Sequence, residues 1–500
     1  MDENQLNVKV ADKLTTDRVF GRMTQYSLEE FYPDYLEQRK IFEHPKGLNV
    51  IYGTGAAILA PEPDILIYCD LARWKIQLRY RAGMSNWHRH NEQEDALRKF
   101  KGGYFLDWRW ADQLKKQLLP KMDFYLDTNI KKKPRMIAGI DLLHGLAEVI
   151  TGPYRTVPYF DESVWGGCWM KKNFKLSDSK PNYGWAFDGV PEENSLYLRY
   201  GTVRIEVPAT NLLLVAPQKV LGVKVYARFG AEFPLRFDYL DTVKGGNLSL
   251  QVHPLTEYIK AKYGMGYTQD ESYYILKATP KSAVYLGVKD DVNKEALSSD
   301  LKAAEEGKLQ FAAEKYVNKF PAKQGDHFLI PAGTIHCGGS ETVILEISAT
   351  PYIFTFKMWD WGRVGLDKKP RPIHLKEGLD NLQWQRDTKW VKENLINHVI
   401  PISLQQNEVI ERTGLAESFE FIETWRHRIK TAGKFENHGS VNMLNMVVGE
   451  KAVVKSPHGS FADFEIHFGE TFIVPAMIEE YLIEKETDKE EIIVLQAFVK

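Results

Sequence analysis

The sequence predicts a mainly β protein in which a small α/β region precedes two β-rich domains, and three observations carry that reading. From about residue 158 onward apolar and polar residues alternate with the period of two that marks half-buried strands. A glycine turn, a short apolar strand and a Pro-Ala step occur in Gly325-Asp326-His327-Phe328-Leu329-Ile330-Pro331-Ala332 and recur in Gly469-Glu470-Thr471-Phe472-Ile473-Val474-Pro475-Ala476. The first 150 residues instead mix short apolar runs with stretches of helical period. A chain of 500 residues exceeds the size at which one core keeps growing, so domains are expected at 1–150, 151–385 and 386–500.

In the first region, residues 48–57 read as a buried strand entering the turn Gly53-Thr54-Gly55, and residues 65–70 as a second buried strand ending in Asp70. Helical periodicity then dominates 92–119 and 141–149. Strands alternating with helices suggest a small α/β unit. It faintly resembles a degenerate nucleotide-kinase-type P-loop domain, including Phe105-Leu106-Asp107-Trp108 and Asp123-Phe124-Tyr125-Leu126-Asp127. A working P-loop needs a lysine and an adjacent hydroxyl for phosphate and magnesium. Here Ala56, Ala57 and Ile58 follow the glycine turn, so a packing or regulatory role is expected.

Residues 196–207 alternate on both sides of Gly201, and 220–229 repeat the pattern, which predicts strands with one buried face. Residues 291–319 break it. Leu301, Ala304 and Leu309 stand at helical steps between charges, so a helical insertion between strands is expected there. In the last hundred residues Met477-Ile478-Glu479-Glu480 stands where the histidine of the first domain would recur, which predicts a scaffold without metal and leaves His438 and His458 as surface residues.

The candidate functional residues lie in the middle domain. Gln251 and His253 alternate on one strand-like run, so their side chains share a face while Leu250 and Val252 face the core. Glu271 opens a second strand-like run that is expected to pair back on the first, and brings a carboxylate. His336 follows a Pro-Ala-Gly turn. Its neighbour Cys337 faces the other way and is expected in the core.

These residues, with Trp165-Gly166-Gly167, Phe233-Pro234-Leu235, Tyr285-Leu286-Gly287, Asp360-Trp361-Gly362-Arg363 and Pro370-Arg371-Pro372-Ile373-His374-Leu375, resemble the class I mannose-6-phosphate isomerases. Those are metal-dependent members of the cupin superfamily. The likeness covers about 150–500, densely from 233 to 380. It implies two cupin-like, jelly-roll barrels with helical insertions, and one divalent ion per chain, most simply Zn2+, on Gln251, His253, Glu271 and His336. Manganese, iron or cobalt also suit such ligands. The reaction implied is an aldose-ketose isomerisation through an enediolate, mannose 6-phosphate to fructose 6-phosphate. The alternatives are an isomerase or epimerase of another sugar, with or without a phosphate, and a non-catalytic cupin that binds a sugar as a sensor.

Two departures touch the chemistry. Lys357 stands where the family has its catalytic arginine, which keeps the charge but loses the planar fork. Asp238 stands where typical members carry a lysine, and Arg236, on the same face, is either the cation that meets a phosphate or the ion-pair partner of Asp238. Arg363 is a further candidate for substrate binding at the rim, beside Asp360.

The partner that the resemblance implies is a small-molecule sugar or sugar phosphate. The 65 basic and 67 acidic residues leave a formal charge of -2, which gives no reason to propose nucleic acid or membrane. Cys69, Cys168 and Cys337 are the only cysteines, an odd and sparse set that suits a reducing compartment. The opening Met1-Asp2-Glu3-Asn4-Gln5-Leu6 has no basic stretch leading into an apolar one, so no secretory leader is expected and the cytoplasm is the predicted location.

Overall fold

Beyond about residue 158 the alternating sequence becomes mainly antiparallel sheet, with helices interspersed between its strands, whereas the described residues before it are mainly helical. The structure, a computed structural model, describes residues 1–40, 46–349, 352–414, 421–486 and 491–500. Its contacts group into two units, one of Met1–Ala147, Tyr197–Val215 and Ala261–Met265, the other of Glu148–Leu196, Ala216–Lys260 and Gly266–Lys500. Among the described residues no helix is long and apolar enough to cross a membrane.

The first unit is built on a three-stranded sheet of Ile67–Asp70, Phe124–Asp127 and Arg135–Ala138, the first pair parallel and the second antiparallel. Helix Glu3–Leu14 starts on a capping box, in which Asp2 accepts from the Gln5 amide and Gln5 accepts from the Asp2 amide. Its Leu6 and Val10, four apart on one face, bury against Phe31, Leu106 and Trp110. The helical expectation for 92–119 resolves into Ala96–Gly102, a π-helical turn Gly103–Asp107 and Trp108–Leu118, and that for 141–149 into helix Gly139–Val149.

The strand expected at 48–57 does not form. Leu48, Val50 and Tyr52 are 93%, 75% and 91% exposed, and only the short helix Ala56–Leu59 follows the glycine turn. The apolar residues Leu48, Val50, Ile51 and Tyr52 read as a buried strand, but the segment has no sheet neighbour. Strand Ile67–Asp70 forms at the edge of its sheet, so Ile67 is exposed rather than buried.

The second unit holds two pairs of sheets. In the first pair, a six-stranded sheet runs His327–Ile330, Asp270–Ala278, Thr342–Ala349, Arg236–Asp241, Trp185–Gly189, Tyr159–Asp161. A five-stranded sheet runs Val317–Pro321, Ala283–Val288, His336–Gly338, Leu250–Val252, Phe356–Trp359. The Pro331-Ala332-Gly333 turn carries the chain from one sheet to the other. Glu271 therefore does not pair beside Gln251, as expected from sequence. Its strand lies between Thr342–Ala349 and His327–Ile330, and it meets Gln251 and His253 from the opposite sheet.

Residues 220–229 fold as helices Pro217–Leu221 and Val223–Phe229 instead of a strand. The buried residues Leu221, Val225 and Phe229 recur at four-residue steps, so helical burial overrides the apparent alternation. The 196–207 run does pair, as strands Ser195–Tyr200 and Val203–Pro208 across Gly201 at φ 58°. The helical insertion is Lys294–Glu305, which buries Leu297, Leu301 and Ala304 but leaves Leu309 38% exposed beyond its end.

The second pair of sheets occupies the C-terminal side. Six strands order as Ile400–Leu404, Glu408–Arg412, Ile422–Ile429, Ile492–Val499, Asn442–Val448, Thr471–Val474, and four as Ala432–Glu436, Glu480–Lys485, Lys451–Lys455, Phe464–His467. Ile429, Leu444, Phe472, Ile492 and Val494 from the first sheet pack on Phe435, Ala452, Ile466, Tyr481 and Ile483 from the second. Each such side chain stabilises the sandwich by about 1.5–3 kcal/mol relative to exposure.

Candidate metal centre

Strand Leu250–Val252 fixes two of the site residues by alternation alone. Leu250 and Val252 are fully buried, and Gln251 and His253 project to the other face. Gln251 pairs with His336 on one side and with Lys357 on the other, so Lys357, Gln251 and His336 form one row across three strands. From the facing sheet come two more rows, Glu271–Ser348–Arg236 and Tyr273–Glu346–Asp238.

The rows meet at Glu271. His253 Nε2 lies 3.1 Å from Glu271 Oε2, His336 Nε2 lies 2.8 Å from Glu271 Oε1, and all three side chains are buried. The ligand-type atoms of His253, Glu271 and His336 fall within 4.8 Å of one another. Gln251 adds its amide nitrogen 3.3 Å from His336 Nε2, and turning that amide over places its oxygen there instead.

Each histidine has its other ring nitrogen engaged. His253 Nδ1 donates to the Phe354 carbonyl at 2.9 Å and His336 Nδ1 to the Thr334 carbonyl at 2.8 Å. The neutral tautomer so fixed turns the Nε2 lone pair of each ring toward the Glu271 carboxylate. Lone pairs at that range repel unless a cation lies between them. His253 Nε2 and Glu271 Oε1 are buried and have no properly directed hydrogen bond, close as their neighbours are. Two imidazoles, a carboxylate and an amide around one point fit a divalent ion, which takes several donors at once where a proton serves two.

The same crowding sets the electrostatics. Burial pulls the His253 imidazole down, but Glu271 beside it outweighs that and raises its pKa. Burial would raise Glu271, yet His253 and His336 hold it well below the usual carboxylate range.

The turn that delivers His336 is strapped on several sides. Arg386 Nη1 donates to the carbonyls of Pro331 and Ala332 at 2.7 Å each and to the Thr334 hydroxyl. Asp270 accepts from the Ala332 amide at 2.7 Å, and the Gly333 amide donates to the His253 carbonyl at 2.9 Å. Gly333 has φ +85°, and a Cβ there would stand 2.9 Å from the Asn381 carbonyl oxygen, so only glycine fits.

A family model described as a domain of unknown function, DUF8485, matches residues 1–151. The probable mannose-6-phosphate isomerase GmuF of Bacillus subtilis is 21% identical over 342 residues, 67% of this chain and 97% of that protein. The mannose-6-phosphate isomerase of Streptococcus mutans is 27% identical over 227 residues, 44% of this chain and 65% of that protein. The chain is a divergent relative of the mannose-6-phosphate isomerases. The crystal structure of the mannose 6-phosphate isomerase from Bacillus subtilis matches at a TM-score of 0.55 and 17% identity, covering 69% of this chain and 99% of that one. A putative mannosephosphate isomerase from Archaeoglobus fulgidus matches at 0.51 and 15%, covering 70% and 98%. At those identities the structures speak for the fold.

In this isomerase relative the structure brings together Gln251, His253, Glu271 and His336, with Lys357 one strand away from Gln251 on the same face. Arg236 is 8% exposed and bound to Asp238 at 3.0 Å beneath that chamber. Burial would lower the guanidinium, but Asp238, Glu193 and Glu346 outweigh it and raise its pKa. Arg363 stands apart from the ligand cluster. It donates to Asp360 at 2.6 Å and to the Asn247 carbonyl at 2.7 Å, and Arg371 lies 2.7 Å from the same Asp360.

Sequence reasoning missed Glu346 and Gln269. Gln269 Nε2 donates to Glu271 Oε2 at 2.8 Å and reaches Glu346 Oε1 at 3.4 Å. Burial, with Asp238 and Glu271 nearby, raises Glu346 well above the usual carboxylate range. The signal was present in Thr342–Ala349, where Glu346 is the one acid in an otherwise uncharged, fully buried strand.

Proposed function

We propose that this chain is a metal-dependent aldose-ketose isomerase whose leading substrate pair is mannose 6-phosphate and fructose 6-phosphate. The observation that carries the reading is the pair of histidines with Nδ1 tied to backbone carbonyls and Nε2 turned on one buried carboxylate. Gln251, His253, Glu271 and His336 hold the ion, with zinc first among those that suit the donors. When bound, a divalent ion supplies Lewis-acid polarisation of the sugar carbonyl.

The chain's own residues then manage charge and proton. Isomerisation moves one proton between C2 and C1, and the wall facing Gln251 carries two carboxyls with separated affinities. Burial, then Asp238 and Glu271, raise Glu346 well above the usual carboxylate range. Asp238 is raised to about 6 by burial, with Arg236 opposing the rise. Two adjacent buried carboxyls, paired in register and both held above the usual carboxylate range, suit proton transfer. Lys357, in the row of Gln251 and His336, steadies the oxygen that gains charge.

One feature favours a second substrate class. Arg236 already has its carboxylate partner in Asp238, so a phosphate reaching that wall meets a neutralised pair, which suits an unphosphorylated sugar. NMR detection of solvent deuterium entering C2 of mannose, mannose 6-phosphate and other hexoses, on zinc-loaded protein, separates these cases. Exchange on the phosphorylated hexose is expected. The absence of exchange with every sugar would leave the isomerase reading without support.

A further inference from the structure

The C-terminal sandwich changes character along its own interior. Down strand Ile422–Ile429 the residues facing inward are Ile429, His427, Trp425 and Glu423, and they pair in register with Ile492, Val494, Gln496 and Phe498. One end belongs to the apolar core through Ile429, Ile492 and Val494. The middle is polar and fully buried. His427 bridges Glu408 at 2.8 Å and Gln496 at 2.9 Å, and Gln496 Nε2 and the Tyr481 hydroxyl both donate to Asn442 Oδ1, at 2.7 and 2.9 Å.

Beyond that floor the strands Glu408–Arg412, Ile422–Ile429 and Ile492–Val499 and the turn at His438 line a cavity of about 410 Å³, with Arg412, Glu423, Trp425, His438, Phe498 and Lys500 around it. This volume lies within the range of roughly 300–1,000 Å³ that small-molecule pockets occupy.

One wall is aromatic. Trp425 stands edge-on to His438 with ring centroids 4.7 Å apart and to Phe498 at 5.4 Å, and His438 lies 4.4 Å from Phe498. His438 is held there at φ 56°, a conformation costly for a non-glycine residue. Its turn is locked by Asn437, which donates to the Ala476 and Ile478 carbonyls and accepts from the Gly439 amide at 2.7 Å. The adjoining side is charged. Glu423, 5% exposed, receives the Trp425 indole N–H at 2.9 Å and has Lys500 Nζ at 3.1 Å and Arg412 Nε at 3.6 Å.

Flat aromatic rings beside a carboxylate and two cations match a ligand with an apolar ring face and a hydroxyl-rich edge. Glu423 already occupies Arg412 and Lys500, so a dianionic group would have to compete with it for both cations, and a wholly aromatic molecule would leave the charged side desolvated without partners. A pyranose satisfies both sides, its C–H face on Trp425 and its hydroxyls on Glu423, Arg412 and Lys500. We propose that the mouth of the C-terminal sandwich is a second, non-catalytic carbohydrate site that takes a neutral pyranose.

The test uses methyl α-mannopyranoside and methyl β-glucopyranoside, whose blocked anomeric carbons keep the rings closed and make them useless to an isomerase. Saturation-transfer NMR on the full chain is expected to show binding of at least one glycoside, preserved in His336→Ala and weakened about tenfold or more in Trp425→Ala, the scale set by losing one stacked ring and its area. Glu423→Gln, which keeps the packing, is expected to weaken binding too while leaving isomerase turnover unchanged. No transfer to either glycoside overturns the proposal, and so does equal transfer in wild type and Glu423→Gln. Binding lost in His336→Ala but kept in Trp425→Ala would assign the sugar to the metal chamber instead.

Discussion

At the scale of single residues, the proposed function assigns some side chains of the His253–Glu271–His336 cluster and its rows to an ion and others to a substrate. His253→Ala or His336→Ala is expected to abolish both metal retention and turnover, read by metal analysis of the purified protein and by hexose isomerisation. Lys357→Ala should keep the ion yet slow turnover by about 10²–10³, the usual loss on removing one charge-stabilising group. Glu346→Gln should also keep the ion and cut kcat by about 10²–10⁴, as loss of a proton carrier does. An unaltered rate in Glu346→Gln would remove that carboxyl from the mechanism. The four ligand-type residues were legible in sequence because amide, imidazole and carboxylate at strand spacing have few other reasons to coincide. Glu346 was not, because its meaning depends on Asp238 and Glu271, which come near only through pairing across three strands.

At the scale of elements, His336 depends on a turn that it does not itself stabilise. Arg386 gathers the Pro331 and Ala332 carbonyls and the Thr334 hydroxyl onto one guanidinium nitrogen, so Arg386→Ala frees the backbone to which His336 is anchored. Metal affinity is expected to fall about 10–100-fold, as on loss of a residue that orients a ligand, with circular dichroism unchanged. An isothermal titration giving wild-type affinity would show that the turn is rigid without the strap. Element type was read well where one face is plainly apolar, as in Leu250–Val252 and Gly139–Val149. It failed at 220–229, where alternation and a four-residue period coexist in the same letters and burial chose the helix. Sheet partners were less legible still. Glu271 was expected next to Gln251, but partner choice is made by contacts some 77 residues away in sequence, such as the one between Gln269 and Glu346.

At the scale of the whole molecule, buried ionisable groups outside the chamber govern acid stability. His327 is fully buried, and burial, then Arg426, lower it from 6.5 to about 3. Between those values the unfolded chain binds more protons, so the contribution of the neutral ring is complete above 6.5 and is lost as pH falls toward 3. Asp188 and Asp241, raised from 3.8 to about 6 chiefly by burial, act in the opposite sense, and their contribution fades as pH rises through that interval. Thermal melts of wild type and His327→Gln from pH 7 to 4 isolate the histidine. The variant is expected to lose less Tm on acidification, and parallel curves would show that His327 does not set the limit. The broad division into helical and β-rich portions was legible because the two periods differ. The exposed run at Leu48, Val50 and Tyr52 was misread because periodicity cannot tell which apolar residues will find a neighbour.

The row of Lys357, Gln251 and His336 has a consequence for how the protein matures. Gln251 and His336 are 85 residues apart and come from different strands, so no short fragment of the chain can present this donor set. On the proposed function, ion capture would follow closure of the sheets, rewarding a finished architecture rather than seeding it. The cation would act as a seal of quality, absent from any copy whose strands had slipped by a single step.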